Sequence, residues 1–419
     1  MSPAATTGAD RLDVLLAARV TANERFFVAE AERLASLCHA LAERFARGGR
    51  LLAFGDGAVE LSDARHVAVE FVHPVIVGKR ALPALALAPA DVALLARADD
   101  IAIAYGSGPE VRGAVRDAAA AGCLTVAFTP VGAAWELVPP SDDPFVAQEL
   151  AETAYHVLWE LVHVFFEHRG LLRGRDAGPR HDSGASSFLY PFLGEQEDDL
   201  DAVLADVRAS ALAKAGEISA LRTQTLRDGG PTLLAAAREL RARLDGGGTL
   251  LALGNGGSAT DAQDAVADLR APPPGRGWPA RRALDLTADP AILTAIANDI
   301  GTEAIFARQV IAYGGAGDAL LALSTSGSSA NVLAALAEAR RRGLLTIAFV
   351  GYDGGRTAAE RLADHVVVTR SEHIPRIQEA QASAWHALRE LVESLGQSPR
   401  IPLEELARGA RSSGSEAPR

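Results

Sequence analysis

The chain has 419 residues, 48% of them apolar, which is too long for one ordinary hydrophobic core and enough to fill two. Its formal net charge is −12, and no block of Lys or Arg could coat a nucleic-acid backbone or an anionic bilayer, so neither is expected as a partner. The only cysteines, Cys38 and Cys123, sit in apolar runs without metal-finger spacing, and no apolar stretch nears the roughly 20 residues of a membrane span.

The first thirteen residues carry neither a basic nor an apolar leader segment, so a cytoplasmic location is expected. A long helical leader spans 9–47 and runs into a Gly-rich break and the apolar run Leu51-Leu-Ala-Phe-Gly55. That run predicts a buried strand entering a glycine turn and then a helix, the repeating step of a parallel α/β sheet. A second strand ends at Tyr105-Gly-Ser-Gly-Pro109, an Ala-rich helix follows, and Leu124-Thr-Val-Ala-Phe128 gives a third strand. A long amphipathic helix with Gln148 and His156 closes this half.

The same order then repeats. A helical leader over 195–244 precedes Leu250-Leu-Ala-Leu-Gly254, and a strand ending at Leu323 opens the loop Ser324-Thr-Ser-Gly-Ser-Ser329. Leu345-Thr-Ile-Ala-Phe349 is a near copy of 124–128, and the last helix carries Gln378 and His386 at the same spacing of eight. A duplication accounts for this order. The expected domains are 9–168 and 195–396, joined by a Gly-, Arg- and Ser-rich linker over 169–194 and followed by an aperiodic tail over 397–419.

In Gly254-Asn-Gly-Gly-Ser258 the glycines let a ligand approach the backbone, and the following helix directs unpaired N–H groups at the same point. The hydroxyl-rich loop 324–329 offers short donors beside a second helix N-terminus. Together they suit one phosphate. A dinucleotide fingerprint lacks its third glycine, Ala259 standing there, and no GxxxxGK[ST] occurs, so no nucleotide cofactor is expected.

The second half resembles the sugar isomerase (SIS) domain family, and within it the phosphoheptose isomerases, through GNGGSATDAQ (254–263), AND (297–299), STSGSSANV (324–332) and IPRIQE (374–379). The resemblance implies an α/β fold of two tandem SIS domains, each a flavodoxin-like parallel sheet flanked by helices, the first of them degenerate. It implies an aldose–ketose isomerase working through an enediol on sedoheptulose 7-phosphate or a similar phosphosugar. By the same resemblance Gly256, Gly257, Ser258, Ser324, Thr325, Ser326 and Ser329 hold the phosphate, Asn298 and Asp299 touch the sugar, and Gln378 assists at the substrate. A divalent metal, zinc first, and a homo-oligomer are also implied.

The family's metal and acid/base set is a His and a Glu four apart on the helix after the first loop, plus a Gln and a His on the last helix. In the second half Asp264 and Asp268 stand where the His and Glu belong, beside Gln378 and His386. The first half keeps His66 and Glu70, with Gln148 and His156, but has lost the seat, since Asp56, Ala58 and Val59 replace its Asn, Gly and Ser. A segment equivalent to 298–316 is missing there as well. Two catalytic arrangements therefore stand open: a composite site with His66, Glu70, Gln148 and His156 as metal ligands, Glu70 as base and His156 as acid; or a site within the second domain, with Asp268 as base, His386 as acid, and Asp264 and Gln378 at the ion. A non-catalytic sugar-phosphate sensor or scaffold is the alternative function.

Overall fold

The apolar runs of each half form the centre of a separate sheet in a computed structural model of the chain, which describes residues 8–75, 79–167, 171–172 and 199–394. The first half runs α1 (Gly8–Ala46), β1 (Leu51–Gly55), α2 (Ala58–Val72), β2 (Ala84–Leu87), α3 (Pro89–Leu95), β3 (Ile101–Tyr105), α4 (Pro109–Ala120), β4 (Leu124–Ala127), β5 (Trp135–Glu136) and α5 (Pro144–Glu167). The second runs α6 (Leu200–Asp228), α7 (Gly230–Asp245), β6 (Leu250–Leu253), α8 (Gly257–Arg270), β7 (Ala283–Asp285), α9 (Pro290–Asp299), α10 (Ile305–Tyr313), β8 (Ala319–Ser324), α11 (Ala330–Arg341), β9 (Leu345–Val350), α12 (Gly355–Ala359), β10 (His365–Val368) and α13 (Ile374–Ser394).

The strand orders are β2-β1-β3-β4-β5 and β10-β9-β8-β6-β7, all neighbours parallel, so the two five-stranded sheets share one doubly wound topology. Every residue of β1, β3, β6, β8 and β9 is buried, because helices cover both faces of a parallel sheet. In this topology the loops after β1 and β3, and after β6 and β8, meet where the strand order reverses, which is where a ligand crevice opens.

The second leader, expected as one run, is two helices. Gly229-Gly230-Pro231 breaks it between α6 and α7, since Pro lacks the N–H that would continue the ladder but fits a first turn. Between β2 and β3 the first half has only α3, whereas the second has α9, a 3₁₀ turn at Thr302–Ala304 and α10 between β7 and β8. The linker over 169–194, apart from residues 171 and 172, and the tail over 397–419 lie outside the described residues.

The two halves interlock. Leu12, Leu15 and Leu16 at the start of α1 pack into the core of the second half, while Val203, Val207, Ala211 and Ala215 at the start of α6 pack into the core of the first. Each leader thus buries part of its apolar stripe against the other half. Helices α2 and α8 meet face to face, with Ser62 Oγ donating to the Thr260 carbonyl at 2.8 Å and Arg65 Nη1 donating to Gln263 Oε1 at 2.9 Å. Ser62 and Thr260, like Arg65 and Gln263, occupy matching positions of the repeat. A residue meeting its own counterpart marks a local two-fold axis.

Candidate active site at the interface of the two halves

The two loops of the second half are built as one concave seat. Gly256, at φ +57° and ψ −127°, takes a backbone shape open to glycine alone and starts α8. Ser324 Oγ accepts from the Gly327 N–H at 3.1 Å, and Ser326 Oγ accepts from Ser328 N–H at 3.2 Å. Asn255 and Asn331 exchange side-chain hydrogen bonds of 3.0 and 2.9 Å, pinning the first loop to the second. Ser329 stands directly before α11, and Ser258 lies in the first turn of α8. The N-termini of α8 and α11, with their free N–H groups, border one place.

The corresponding seat in the first half is closed from within. A Cβ added at Gly106 or Gly108 would strike the Asp56 carboxylate, so that side chain already lies over the second loop. The Asp56 side chain thereby fills the space beside Gly106 and Gly108.

What approaches the second-half seat comes from the first half. A Cβ on Gly257 would lie 2.6 Å from His66 Nε2, and it would also run into Gln378 Nε2. His66 Nε2 faces His156 Nε2 at 3.3 Å, Glu70 Oε1 at 3.8 Å and Gln378 Nε2 at 3.4 Å. His66 and Glu70 share a face of α2 because they are four residues apart, and α5 brings His156 to them. All four side chains are buried.

The glutamine in this group is Gln378, from α13, and not its counterpart in α5. Gln148 lies instead along a small cavity lined by Asp261, Asp264, Leu323, Ala382, Trp385 and His386. The two-fold relation explains the exchange: α5 and α13 cross, so each Gln sits against the opposite half's pair. Asp264, Asp268 and His386 are brought together on that other side, where packing already engages them. Asp268 Oδ2 accepts from Trp385 Nε1 at 2.8 Å, and the His386 ring stacks on Phe145 with centroids 4.3 Å apart. Asn298 and Asp299 are exposed at the end of α9 and hydrogen-bond to each other at 2.7 Å.

Two glutamates complete the arrangement, each reaching across from the opposite half. Glu379 Oε1 accepts from His156 Nδ1 at 2.9 Å, and Glu149 Oε1 accepts from His386 Nδ1 at 2.8 Å. The contact with Glu379 orients the His156 ring so that its Nε2 edge faces His66. Both stand next to the paired glutamines, in Gln148-Glu149 and Gln378-Glu379, but the repeat of that dipeptide assigns them no partner without the fold.

Burial dominates the electrostatics. It pushes the His66 imidazole well below its ordinary range, and His156 adds to this. It pushes Glu70 up to about 7, with His156 pulling the other way. Asp63, Glu152, Asp261 and Asp264 are all raised well above the carboxylate range by burial and by neighbouring carboxylates. Burial also works against the Glu149 charge, but Arg19, His386 and Arg222 outweigh it and hold that carboxyl below the usual range.

The donor set fits a borderline divalent ion. His66, Glu70 and His156 place one ligand atom each within 4.8 Å of the others, and Glu70 Oε2 and Gln378 Oε1 are buried without a hydrogen-bond partner. Two imidazoles, a carboxylate and a carboxamide are ligands that zinc accepts.

The family profile of the SIS domain matches residues 215–351. Phosphoheptose isomerase from Geobacter metallireducens is 46% identical over 165 residues, 39% of this chain and 85% of the relative. The enzyme of the same name from a Bradyrhizobium strain is 41% identical over 196 residues, covering 45% of this chain and 93% of its own. Solved structures extend the likeness to both halves as fold alone. The C-terminal domain of glucosamine-fructose-6-phosphate aminotransferase from Francisella tularensis superposes with a TM-score of 0.57 at 11% identity, covering 91% of this chain and 94% of that one. Tagatose-6-phosphate ketose/aldose isomerase from Escherichia coli gives 0.51 at 16% identity over 95% of this chain and 97% of its own. Among the described residues no helix is long and apolar enough to cross a membrane. With most of the length of such relatives matched at this identity, the chain belongs to the SIS domain family, as a tandem pair of SIS-type α/β domains whose sequence relatives are phosphoheptose isomerases.

Proposed function

We propose that the chain is an aldose–ketose isomerase for sedoheptulose 7-phosphate or a closely similar phosphosugar, with one composite site per chain. The observation that carries this reading is the approach of His66 to Gly257: a donor group of the first half lies against the phosphate loop of the second. Each half has lost what the other keeps.

In this reading the loops 254–258 and 324–329 hold the phosphate and so fix the distance of C1 and C2 from the interface. Glu70 takes the proton from one carbon of the enediol pair and returns it to the other, and His156 exchanges a proton with the sugar oxygens through Nε2 when that nitrogen is not on the ion. Zinc held by His66, Glu70, His156 and Gln378 would polarise the oxygens and steady the charge that develops on them. Glu379 keeps the His156 ring in the orientation and tautomer required. The Asp264–Asp268–His386 group is not assigned the chemistry, because Trp385 holds Asp268 and Phe145 covers His386.

The test is to incubate the purified chain with sedoheptulose 7-phosphate and zinc and follow aldose formation by NMR. The reading expects turnover that His66→Ala and Glu70→Gln abolish and that Asp268→Asn retains. Turnover lost only in Asp268→Asn would move the chemistry to the other side, and saturable phosphate-dependent binding without turnover would make the chain a sensor or scaffold.

A further inference from the structure

Beside the group just described lies a second set of buried ligand atoms that the proposed isomerisation does not use. Glu152 of α5 and Asp261 of α8 place an oxygen each within 4.8 Å of a nitrogen of His66 and of one another. Asp261 Oδ1 is 3.6 Å from His66 Nδ1, on the opposite edge of the ring from Glu70 and His156. Glu152 is 4% exposed and Asp261 6% exposed, and Glu152 Oε1 and Asp261 Oδ2 are buried with no hydrogen-bond partner. Asp264 Oδ1, on the next turn of α8, is unpartnered as well.

Buried carboxyl oxygens without donors are costly unless a proton or a cation meets them, and binding a cation there displaces the proton. The guanidinium of Arg222 acts on Glu152 only through space: it donates to Ser383 Oγ, Asn23 Oδ1, Thr153 Oγ1 and the Glu149 carbonyl. The repeat shows that the acid is not demanded by the fold. Counting from the matching glutamines, Glu152 corresponds to Ala382, so the same helix packs with a methyl group at that position in the other half.

We infer that Glu152 and Asp261, with His66 Nδ1 facing them, form a second divalent-cation site, distinct from the set of His66 Nε2, Glu70, His156 and Gln378. Its oxygen-rich ligands select a hard ion of the manganese or magnesium class, where the neighbouring imidazole pair selects a softer one. The ion would hold His66 from the Nδ1 edge; with both sites filled the ring lies between them as a bridging imidazolate, its remaining N–H proton released to solvent on binding. The inference stands whether or not the isomerase reading does.

The full chain, stripped with chelator and dialysed, is titrated with Mn²⁺, and free ion is followed by electron paramagnetic resonance. The parent is expected to bind two ions per chain, and Glu152→Gln and Glu152→Ala one each, with Glu70→Gln losing the other ion. The alanine variant copies position 382, which keeps the test open where the amide is poorly tolerated. Glu152 variants that bind as many ions as the parent overturn the second site and leave the first untouched. One ion lost with Glu152→Gln but kept in Glu70→Gln upholds the second site and removes the first. A single ion lost in both variants means one merged centre and overturns the separation proposed here.

Discussion

Gly257→Ala tests the composite arrangement most directly, because it changes the second half and is predicted to disable groups of the first. The added methyl would stand 2.6 Å from His66 Nε2 and closer still to Gln378 Nε2. Ordinary carbon–nitrogen contact begins near 3.4 Å, so His66 must withdraw by about 0.8 Å and Gln378 by more. A displacement on the order of 1 Å at a reacting group lowers rate by roughly a hundredfold. Gln378 presents the flexible end of its side chain, so the fold can yield, and the melting temperature should fall by only a few degrees. Gly317→Ala, where an added Cβ meets nothing within 4 Å, is the matched control and should retain activity. The assay is kcat on sedoheptulose 7-phosphate alongside zinc content. A Gly257→Ala protein with parental kcat and full zinc would refute the reasoning, since no site could then lie between His66 and the loop.

Glu379→Gln removes the acceptor of His156 Nδ1–H and should weaken zinc affinity by roughly 10- to 100-fold, read by competition with a chromogenic chelator. Zinc affinity should also fall about tenfold per pH unit below pH 7, because Glu70, raised to about 7, must lose its proton to bind. His66, lowered by burial, adds no such penalty there. Glu160→Gln should destabilise the chain by about 3 kcal/mol at neutral pH, because Lys214 and Arg376 overcome the burial of Glu160 and hold it at about 2 against an ordinary 4.5. A depressed carboxyl adds stability that is complete above the unfolded value, so the difference should shrink between pH 4.5 and 2; urea midpoints across that range would show it.

The sequence by itself determined the fold and its duplication. Leu51–Gly55 and Leu250–Leu253 are apolar throughout because a parallel strand is buried on both faces, and that continuity survives in a linear reading. The shape of the loops 254–258 and 324–329 was legible for a similar reason: their glycines and hydroxyls act through backbone conformation and neighbours within a few residues, as Gly256 at φ +57° and Ser324 with Gly327 do. The pairing of His66 with Glu70 also followed from spacing, since four residues on a helix share a face.

Only the tertiary structure decided which glutamine stands with that pair. Gln148 and Gln378 occupy equal positions in equal helices, and no local pattern distinguishes them. The choice falls to Gln378 because α5 and α13 cross at a local two-fold axis, where each helix presents its side chains to the other half. Glu379, Glu152 and Asp261 were hidden for the same reason: their partners lie 86 or more residues away along the chain, and an isolated acid on a helix reads as solvated. The exchange of α1 and α6 between the cores is likewise invisible in sequence, because an amphipathic stripe specifies that it must be covered but not by which half.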